Sequence, residues 1–246
     1  MEKENRVEFK VSGKYALFTD PLTKIGGEKC SYHIPTYEAL KGVLSSVYWK
    51  PTIVWIIDEV RVMKRILTQT RSAKPIEYGS SKSNSLAIYT YLAGDKECVE
   101  YQVRAHFEWN MCRPDLEEDR NENKHFFVAR RMIDKGGRRD IFLGSRECQG
   151  YVEPCVFGED QGFYDDYGEL SFGLMFHGFD YPDELGRNEF HSRFWQAKMV
   201  DGVIKFPRPE ACPYRKLVRR MTEQFIQTNG LDEEGLLEGY EEEVMQ

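Results

Sequence analysis

The chain has 246 residues, of which 41% are hydrophobic and 30% are charged, as is ordinary for a soluble globular protein. No apolar run approaches the length of a membrane span and the N-terminus has no signal-peptide core, so we expect a cytoplasmic protein with no membrane partner. The formal net charge of −7 is uneven, because residues 231–246 carry seven acidic and no basic residues.

The first part of the chain is basic, since residues 1–146 hold 25 Lys and Arg against 20 Asp and Glu. This asymmetry indicates an anionic partner. The six cysteines form no Cys-x-x-Cys pair, which predicts unpaired thiols in a reducing compartment. The five histidines show no zinc or iron spacing, so we expect no cofactor and chemistry without a dedicated metal.

The first half of the chain alternates strands with one helix. Residues 7–18 are rich in β formers and predict a strand, and Pro35-Thr36 opens an amphipathic helix. That helix must end near Trp49-Lys50, because Pro51 disfavours helical geometry in the residue before it. Tyr48 lies at this end, off the main apolar stripe. It is either an edge-of-core residue or a phenol that points into a cleft.

Further strands follow the first helix. A buried strand is predicted from Thr52 onward, residues 70–85 form a polar loop, and the segments 86–92 and 100–109 form a hairpin across Gly94-Asp95. A short strand, 140–143, follows the second helix. The order predicts an α+β fold, with a ferredoxin-like (RRM-like, βαββαβ) N-terminal domain.

The composition changes after residue 150, where Gly, Asp and aromatic residues become frequent. We predict a ferredoxin-like domain over residues 1–150 and a smaller β-rich domain over 151–213, with strands around an Asp201-Gly202 turn. Residues 214–246 are predicted as a C-terminal helix, basic and amphipathic over 214–228, followed by an acidic tail.

The second helix begins at the most basic part of the chain. Asn121 or Asn123 can cap its start, Gly136 can end it, and Lys124 and His125 fall in its first turn. A helix start that carries a cation and an imidazole can bind phosphate. The stretch 120–146 has eight Lys and Arg against three Asp and Glu. Its arginines are candidate phosphate-binding residues: Arg120, Arg130, Arg131, Arg138, Arg139 and Arg146.

These residues suit RNA cleavage without a metal, in which the 2′-hydroxyl of the RNA attacks the adjacent phosphorus. The helix dipole would favour neutral His125, and Lys124 could offset charge on the phosphorane. Tyr48 could donate to or accept from the sugar. A solvated surface pair is the other reading of Lys124 and His125, and a basic stretch alone does not distinguish RNA from DNA.

Five motifs, in this order and spacing, resemble one known family: Tyr-Ala-Leu-Phe-Thr-Asp-Pro (15–21), Ser-Tyr-His-Ile-Pro-Thr (31–36), Val-Tyr-Trp-Lys-Pro (47–51), Asn-Lys-His (123–125) and Phe-Leu-Gly-Ser-Arg-Glu (142–147). The family is the CRISPR-associated RAMP-superfamily endoribonuclease of type I-C systems, which processes precursor CRISPR RNA. The similarity covers residues 7–215. The acidic tail lies outside it.

The resemblance implies metal-independent cleavage on the 3′ side of the repeat RNA hairpin. It also implies that the protein stays as a subunit of the antiviral surveillance complex, beside other subunits, with DNA as a further candidate partner. The family's catalytic residues fall on Tyr48, Lys124 and His125. Either Tyr48 or His125 is the base. Two alternatives stay open, a non-catalytic RNA-binding scaffold and a duplex-DNA-binding protein or nuclease.

Overall fold

The computed structural model describes residues 5–21, 23, 28–73, 86–94 and 98–221. The fold is mixed α/β and consists mostly of sheet. In chain order the strands and helices are β1 (Arg6–Gly13), β2 (Tyr15–Ala16), β3 (Lys29–Cys30), α1 (Tyr37–Val47), β4 (Ile53–Val62), β5 (Leu67–Ala73), β6 (Ala87–Ala93), β7 (Val99–Trp109), α2 (Glu122–Asp134), β8 (Ile141–Phe142), β9 (Gln149–Pro154), β10 (Glu169–Asp180), α3 (Pro182–Leu185), β11 (Glu189–Val200), β12 (Val203–Lys205) and β13 (Tyr214–Arg220).

Nine strands form the main sheet, in the order β10-β11-β12-β4-β7-β1-β9-β8, with β13 paired to β11. At its centre β4, β7, β1 and β9 are neighbours, and each is antiparallel to the next. Helix α1 packs on β4 and β10, α2 packs on β1 and β9, and the two helices touch each other. The end of α1 and the start of α2 therefore meet above the centre of the sheet.

The two helices form where the sequence predicts them. Thr36 caps α1 by accepting from the Ala39 N–H, and the apolar stripe of α1 is buried. Asn121 caps α2 by accepting from the Lys124 N–H, and Gly136 follows the helix with a φ of 79°. Because each cap satisfies a backbone donor that the first turn leaves unpaired, the caps fix where both helices begin.

Three predictions about strands and helices are wrong. Residues 67–73 form β5, so the predicted loop 70–85 begins too early, and its residues 74–85 lie outside the described part. The strands β6 and β7 are not a hairpin, because β6 pairs with β5 in a second, four-stranded sheet while β7 pairs with β1 and β4. A period of two identifies a strand but does not identify its partner.

The third correction concerns the C-terminal segment. Residues 214–220 form strand β13 and not a helix, and residues 222–246, including the acidic tail, lie outside the described part. Every side chain of β13 is exposed, so nothing in the described part of the chain packs on this segment to stabilise a helix. Pairing with β11 satisfies the backbone instead, and charged residues are well tolerated on an edge strand.

Other features of the second part agree with the sequence. The turn Asp201-Gly202 joins β11 to β12, and both residues have positive φ, as a tight hairpin turn requires. The main sheet contains strands from both sides of residue 150, so the division into domains stays a prediction. All six cysteines are free. Over the described residues, no helix is long and apolar enough to cross a membrane.

Candidate active site

Tyr48 is the residue at which helix α1 ends. Its N–H donates to Leu44 O at 2.8 Å and closes the last turn, while its own φ and ψ of −155° and 125° are extended. Its carbonyl accepts the Trp55 indole N–H at 2.7 Å. Because both backbone groups are bonded, the direction of the Tyr48 ring is fixed by the fold.

The hydroxyl of Tyr48 lies 2.8 Å from His125 Nδ1, although the two residues are 77 positions apart. The other ring nitrogen, His125 Nε2, lies 2.8 Å from the backbone oxygen of Asp119. A carbonyl oxygen can only accept, so Nε2 carries the proton. In the neutral imidazole Nδ1 is then the acceptor, and Tyr48 donates to it.

This pair is enclosed. His125 is 0% exposed and Tyr48 is 4% exposed, and the imidazole lies against the rings of Phe107 and Trp109. Burial raises the pKa of the Tyr48 phenol, the negative charge of Asp119 raises it further, and Arg138 acts in the opposite direction. The phenol is therefore protonated at neutral pH and can serve as a donor.

Asp119 links the buried pair to Lys124 at the protein surface. One of its carboxylate oxygens accepts from the Lys124 ammonium, and the other accepts from the Thr52 hydroxyl at 2.6 Å and lies 3.4 Å from His125 Nε2. The bonds from Lys124 and Thr52 lower the pKa of Asp119 to about 2, so its carboxylate is ionised. The Lys124 side chain is 53% exposed, so its ammonium is accessible from solvent.

The six candidate arginines are dispersed. Arg138 and Arg139 line a groove of about 370 Å³ with Ser45, Ser46 and Trp49, beside the end of α1. Arg120 turns inward and donates to the carbonyls of Asn110 and Arg113, at 3.3 and 3.2 Å.

The other three arginines are exposed and stand away from that groove. Arg130 borders a different groove, with Arg6 and Asp134. Arg131 lies in the last turn of α2, and Arg146 is in the turn after β8. Only Arg138 and Arg139 therefore line the groove at the end of α1.

Sequence reasoning missed Asp119 and Thr52. Asp119 stands two residues before the Asn121 cap and ends the acidic segment 115–119, which reads as solvated loop. Thr52 reads as the first residue of a strand. Their contact joins positions 67 residues apart, and a single sequence carries no signal for it. Over the described chain, no three His, Cys, Asp or Glu side chains are grouped to hold a metal ion.

Comparison with known proteins identifies the family. Residues 7–207 match the family model described as CRISPR-associated protein (Cas_Cas5). The chain belongs to this family. The match confirms the resemblance that the five sequence motifs indicate, and it includes Tyr48, Lys124 and His125.

Two curated members of the family are both named CRISPR pre-crRNA endoribonuclease Cas5d. The protein of Mannheimia succiniciproducens is 28% identical, over 82% of this chain and 95% of its own length. That of Thermus thermophilus is 27% identical, over 87% and 95%. A crystal structure described as a CRISPR-associated protein is 34% identical, covers 86% of this chain and 96% of its own, and superposes with a TM-score of 0.70.

Proposed function

We propose that this protein is a metal-independent endoribonuclease that cleaves precursor CRISPR RNA within the repeat, 3′ of its hairpin, by attack of a 2′-hydroxyl. The names of the curated relatives support the substrate, and the contact between Tyr48 and His125 carries the chemistry. The strand order β4-β7-β1-β9 with two helices supports a ferredoxin-like arrangement of the central sheet.

The hydrogen-bond directions suggest how protons move. His125 is fully buried and Tyr48, at 4% exposure, is the member of the pair that keeps some access, so we propose that Tyr48 is the one that contacts the ribose when RNA binds. The 2′-hydroxyl passes its proton to the Tyr48 oxygen while the Tyr48 proton moves to His125 Nδ1. The 2′-oxygen bonds to phosphorus, the bond to the 5′-oxygen breaks, and that oxygen takes a proton from water. The products are a 2′,3′-cyclic phosphate and a 5′-hydroxyl.

Lys124 and Asp119 act on the phosphate. The exposed ammonium of Lys124 can neutralise charge on the phosphorane. In the free protein that ammonium forms an ion pair with Asp119, so we propose that the scissile phosphate replaces the carboxylate as the partner of Lys124. The carboxylate remains near His125 Nε2 and stabilises the imidazolium that forms.

A scaffold without activity is the second candidate, because Tyr48 and His125 are almost inaccessible in the free protein. In either case we propose, from the family, that the chain binds the repeat hairpin and associates with other subunits of the surveillance complex. A nuclease acting on duplex DNA is the third candidate, and only the basic groove beside Trp49 favours it.

One experiment separates the three. The protein is incubated in chelator with its repeat RNA and with the same RNA carrying a 2′-deoxy nucleotide at the cut site. Cleavage of the unsubstituted RNA alone supports the proposal. Binding of both RNAs without cleavage identifies the scaffold, whereas cutting that requires Mg²⁺ and extends to duplex DNA identifies the nuclease.

A further inference from the structure

One face of the small sheet carries a row of tyrosines between two cations. Strand β6 is at the centre of this sheet, and its register sets Tyr15 beside Ala93, Arg71 beside Tyr89, and Lys29 beside Tyr89. Residues that are directly paired point to the same side of a sheet, and so do residues two apart on one strand. Tyr15, Lys29, Arg71, Tyr89 and Tyr91 therefore share one face, here called the tyrosine face.

The opposite face of the same sheet packs on the core where β2 pairs with β6, whereas Thr68, Thr70 and Ile88 on that face are exposed. Ala16 is paired with Leu92, and both are buried, at 0% and 1% exposure. Since side chains alternate along a strand, this burial directs Tyr15 and Tyr91 to the other side. Tyr15, Tyr89 and Tyr91 are partly buried and partly accessible, which leaves each ring with an open part.

The rings form a continuous row. The Tyr15 and Tyr91 centroids are 6.1 Å apart, and those of Tyr91 and Tyr89 are 6.5 Å apart. A cation stands at each end: the Arg71 guanidinium lies 4.0 Å from the Tyr15 centroid and donates to its hydroxyl, and the Lys29 ammonium lies 4.9 Å from the Tyr89 centroid. Both distances are those of cation–π contacts.

The accessible face of the main sheet is different, because its cations are matched by carboxylates. Arg104 lies between Glu8 and Glu59, and His106 lies between Asp58 and Glu108. These are four carboxylates against two basic side chains, so a polyanion would be repelled there. Near the tyrosine face, among the described residues, burial and the charge of Glu147 raise the pKa of Tyr91, and the charge of Arg71 lowers it.

Aromatic rings interleaved with cations on a sheet face are the chemistry that recognises unpaired nucleotides. Bases stack on the rings, the guanidinium offers a further stacking plane, and the cations meet the phosphates. The rings are 6.1 and 6.5 Å apart, which leaves room for bases that are unstacked from one another and stack on the rings instead. We infer that the tyrosine face binds about two or three unpaired nucleotides of RNA, at a site separate from the Tyr48–His125 pair.

The path of the chain connects this face with the candidate active site. Strand β2 runs on into Leu17, whose N–H donates to Leu143 O in the turn after β8. Leu17, Gly144 and Ser46 line a groove of about 460 Å³, and Ser46 also lines the groove of Arg138 and Arg139. This continuity rests on the proposed function, because it assumes that the same RNA reaches both places.

Paired substitutions of one tyrosine test the inference. Tyr89→Leu keeps an apolar side chain but removes the stacking surface, whereas Tyr89→Phe keeps the ring. Binding of a fluorescent oligouridine, measured by anisotropy at fixed salt, is expected to weaken about 5- to 100-fold in Tyr89→Leu and to stay within about twofold in Tyr89→Phe. Tyr167→Leu is the matched control, since Tyr167 is an exposed tyrosine in another part of the molecule.

The cations supply a second, independent readout. Lys29→Gln is expected to reduce the slope of log K against log salt by about 0.7, the value for one phosphate contact on a single strand. The inference is overturned if wild-type protein does not bind oligouridine, if the Leu and Phe variants behave alike, or if neither differs from wild type, the last result indicating a protein-docking face.

These outcomes are independent of cleavage. If repeat RNA is not cut but oligouridine binding depends on the Tyr89 ring, the proposed endonuclease is wrong and the tyrosine face stands. If repeat RNA is cut normally by Tyr89→Leu and oligouridine binding is also unchanged, the tyrosine face is wrong and the endonuclease stands.

Discussion

Two buried histidines in this protein have similar surroundings but differ in their hydrogen-bond partners and in the nearest charge. His125 and His177 are each 0% exposed, each contacts a tyrosine of the α1 segment, and each has Nε2 directed at a backbone carbonyl. For His125 the tyrosine is Tyr48, at the end of the helix. For His177 it is Tyr37, at the start, whose ring stacks on the imidazole with centroids 4.2 Å apart.

The difference lies at Nδ1 and in the nearest charge. Nδ1 of His125 accepts a hydrogen bond from the Tyr48 hydroxyl, and the Asp119 carboxylate lies 3.4 Å from Nε2. Nδ1 of His177 has no hydrogen-bond partner among the described residues. Burial and the positive charge of Arg193 lower the pKa of His177 to about 3. Burial beside a positive charge therefore disfavours protonation of His177, whereas His125 has a hydroxyl partner at Nδ1 and a carboxylate near Nε2.

Replacing His125 is the strongest test of this comparison. His125→Gln should lower the cleavage rate about 10²- to 10⁴-fold, because the proton acceptor is lost, while binding of the repeat hairpin is retained. Single-turnover cleavage and a binding assay measure the two properties. His177→Gln is the control and should cut at nearly the wild-type rate. Loss of hairpin binding in His125→Gln would make His125 an RNA contact or a structural residue.

Tyr48→Phe removes the hydroxyl and keeps the ring. The rate should fall about 10²-fold, since His125 would have to act through water. The variant should also lose about 1–3 kcal/mol of unfolding free energy, because Nδ1 is left buried without its partner. Cleavage kinetics and urea unfolding check these two expectations. A Tyr48→Phe protein that is destabilised but fully active would show that the hydroxyl is structural.

The low pKa of His177 predicts acid sensitivity. Its folded value of about 3 is below the ordinary 6.5, so between these pH values the unfolded chain binds a proton that the folded chain does not. Stability should therefore fall as the pH drops, by up to about 1.4 kcal/mol per pH unit from this residue. Urea unfolding of wild type and His177→Gln at several pH values measures the difference in slope. Parallel slopes would contradict the prediction.

Asp119→Asn should have the smallest effect. The variant keeps the backbone oxygen that fixes the His125 tautomer, but it removes the negative charge that forms an ion pair with Lys124. We expect KM for the repeat RNA to fall severalfold, because a phosphate no longer competes with a carboxylate, and kcat to fall by a similarly small factor, because the imidazolium of His125 loses its counter-charge. Steady-state cleavage at low salt measures KM and kcat separately. An increase in KM would mean that Asp119 holds Lys124 in place for RNA instead of blocking it.

The sequence predicts what depends on neighbours along the chain. The start of α1 at Pro35-Thr36, the end of α1 before Pro51 and the Asp201-Gly202 turn are local signals, and the structure confirms each one. Of the two predicted caps of α2, Asn121 and Asn123, the structure selects Asn121. One wrong prediction concerns which strands pair, since β6 and β7 lie in different sheets. Another concerns β13, a polar segment that pairs with β11 instead of forming a helix. Both depend on segments distant in the sequence.

The candidate site divides in the same way. His125 is in the first turn of α2 as predicted, and Tyr48 is at the end of α1, but their contact was implied by family resemblance and not by any pattern in the residues. Asp119 shows the limit most clearly, because no pattern in the acidic segment around it predicts its contacts with Lys124, Thr52 and His125. The catalytic roles of these residues stay predictions.

The contacts of Thr52 have a consequence for when the protein can act. Its carbonyl accepts the Asn110 N–H at the far end of β7, and its hydroxyl holds Asp119, so this residue ties the middle of the chain to the start of α2. A nascent chain that has emerged only as far as β7 has the phenol but lacks the imidazole. On the catalytic roles proposed above, a nascent chain therefore cannot cut RNA before α2 has emerged from the ribosome and folded against the segments around Thr52 and Asn110.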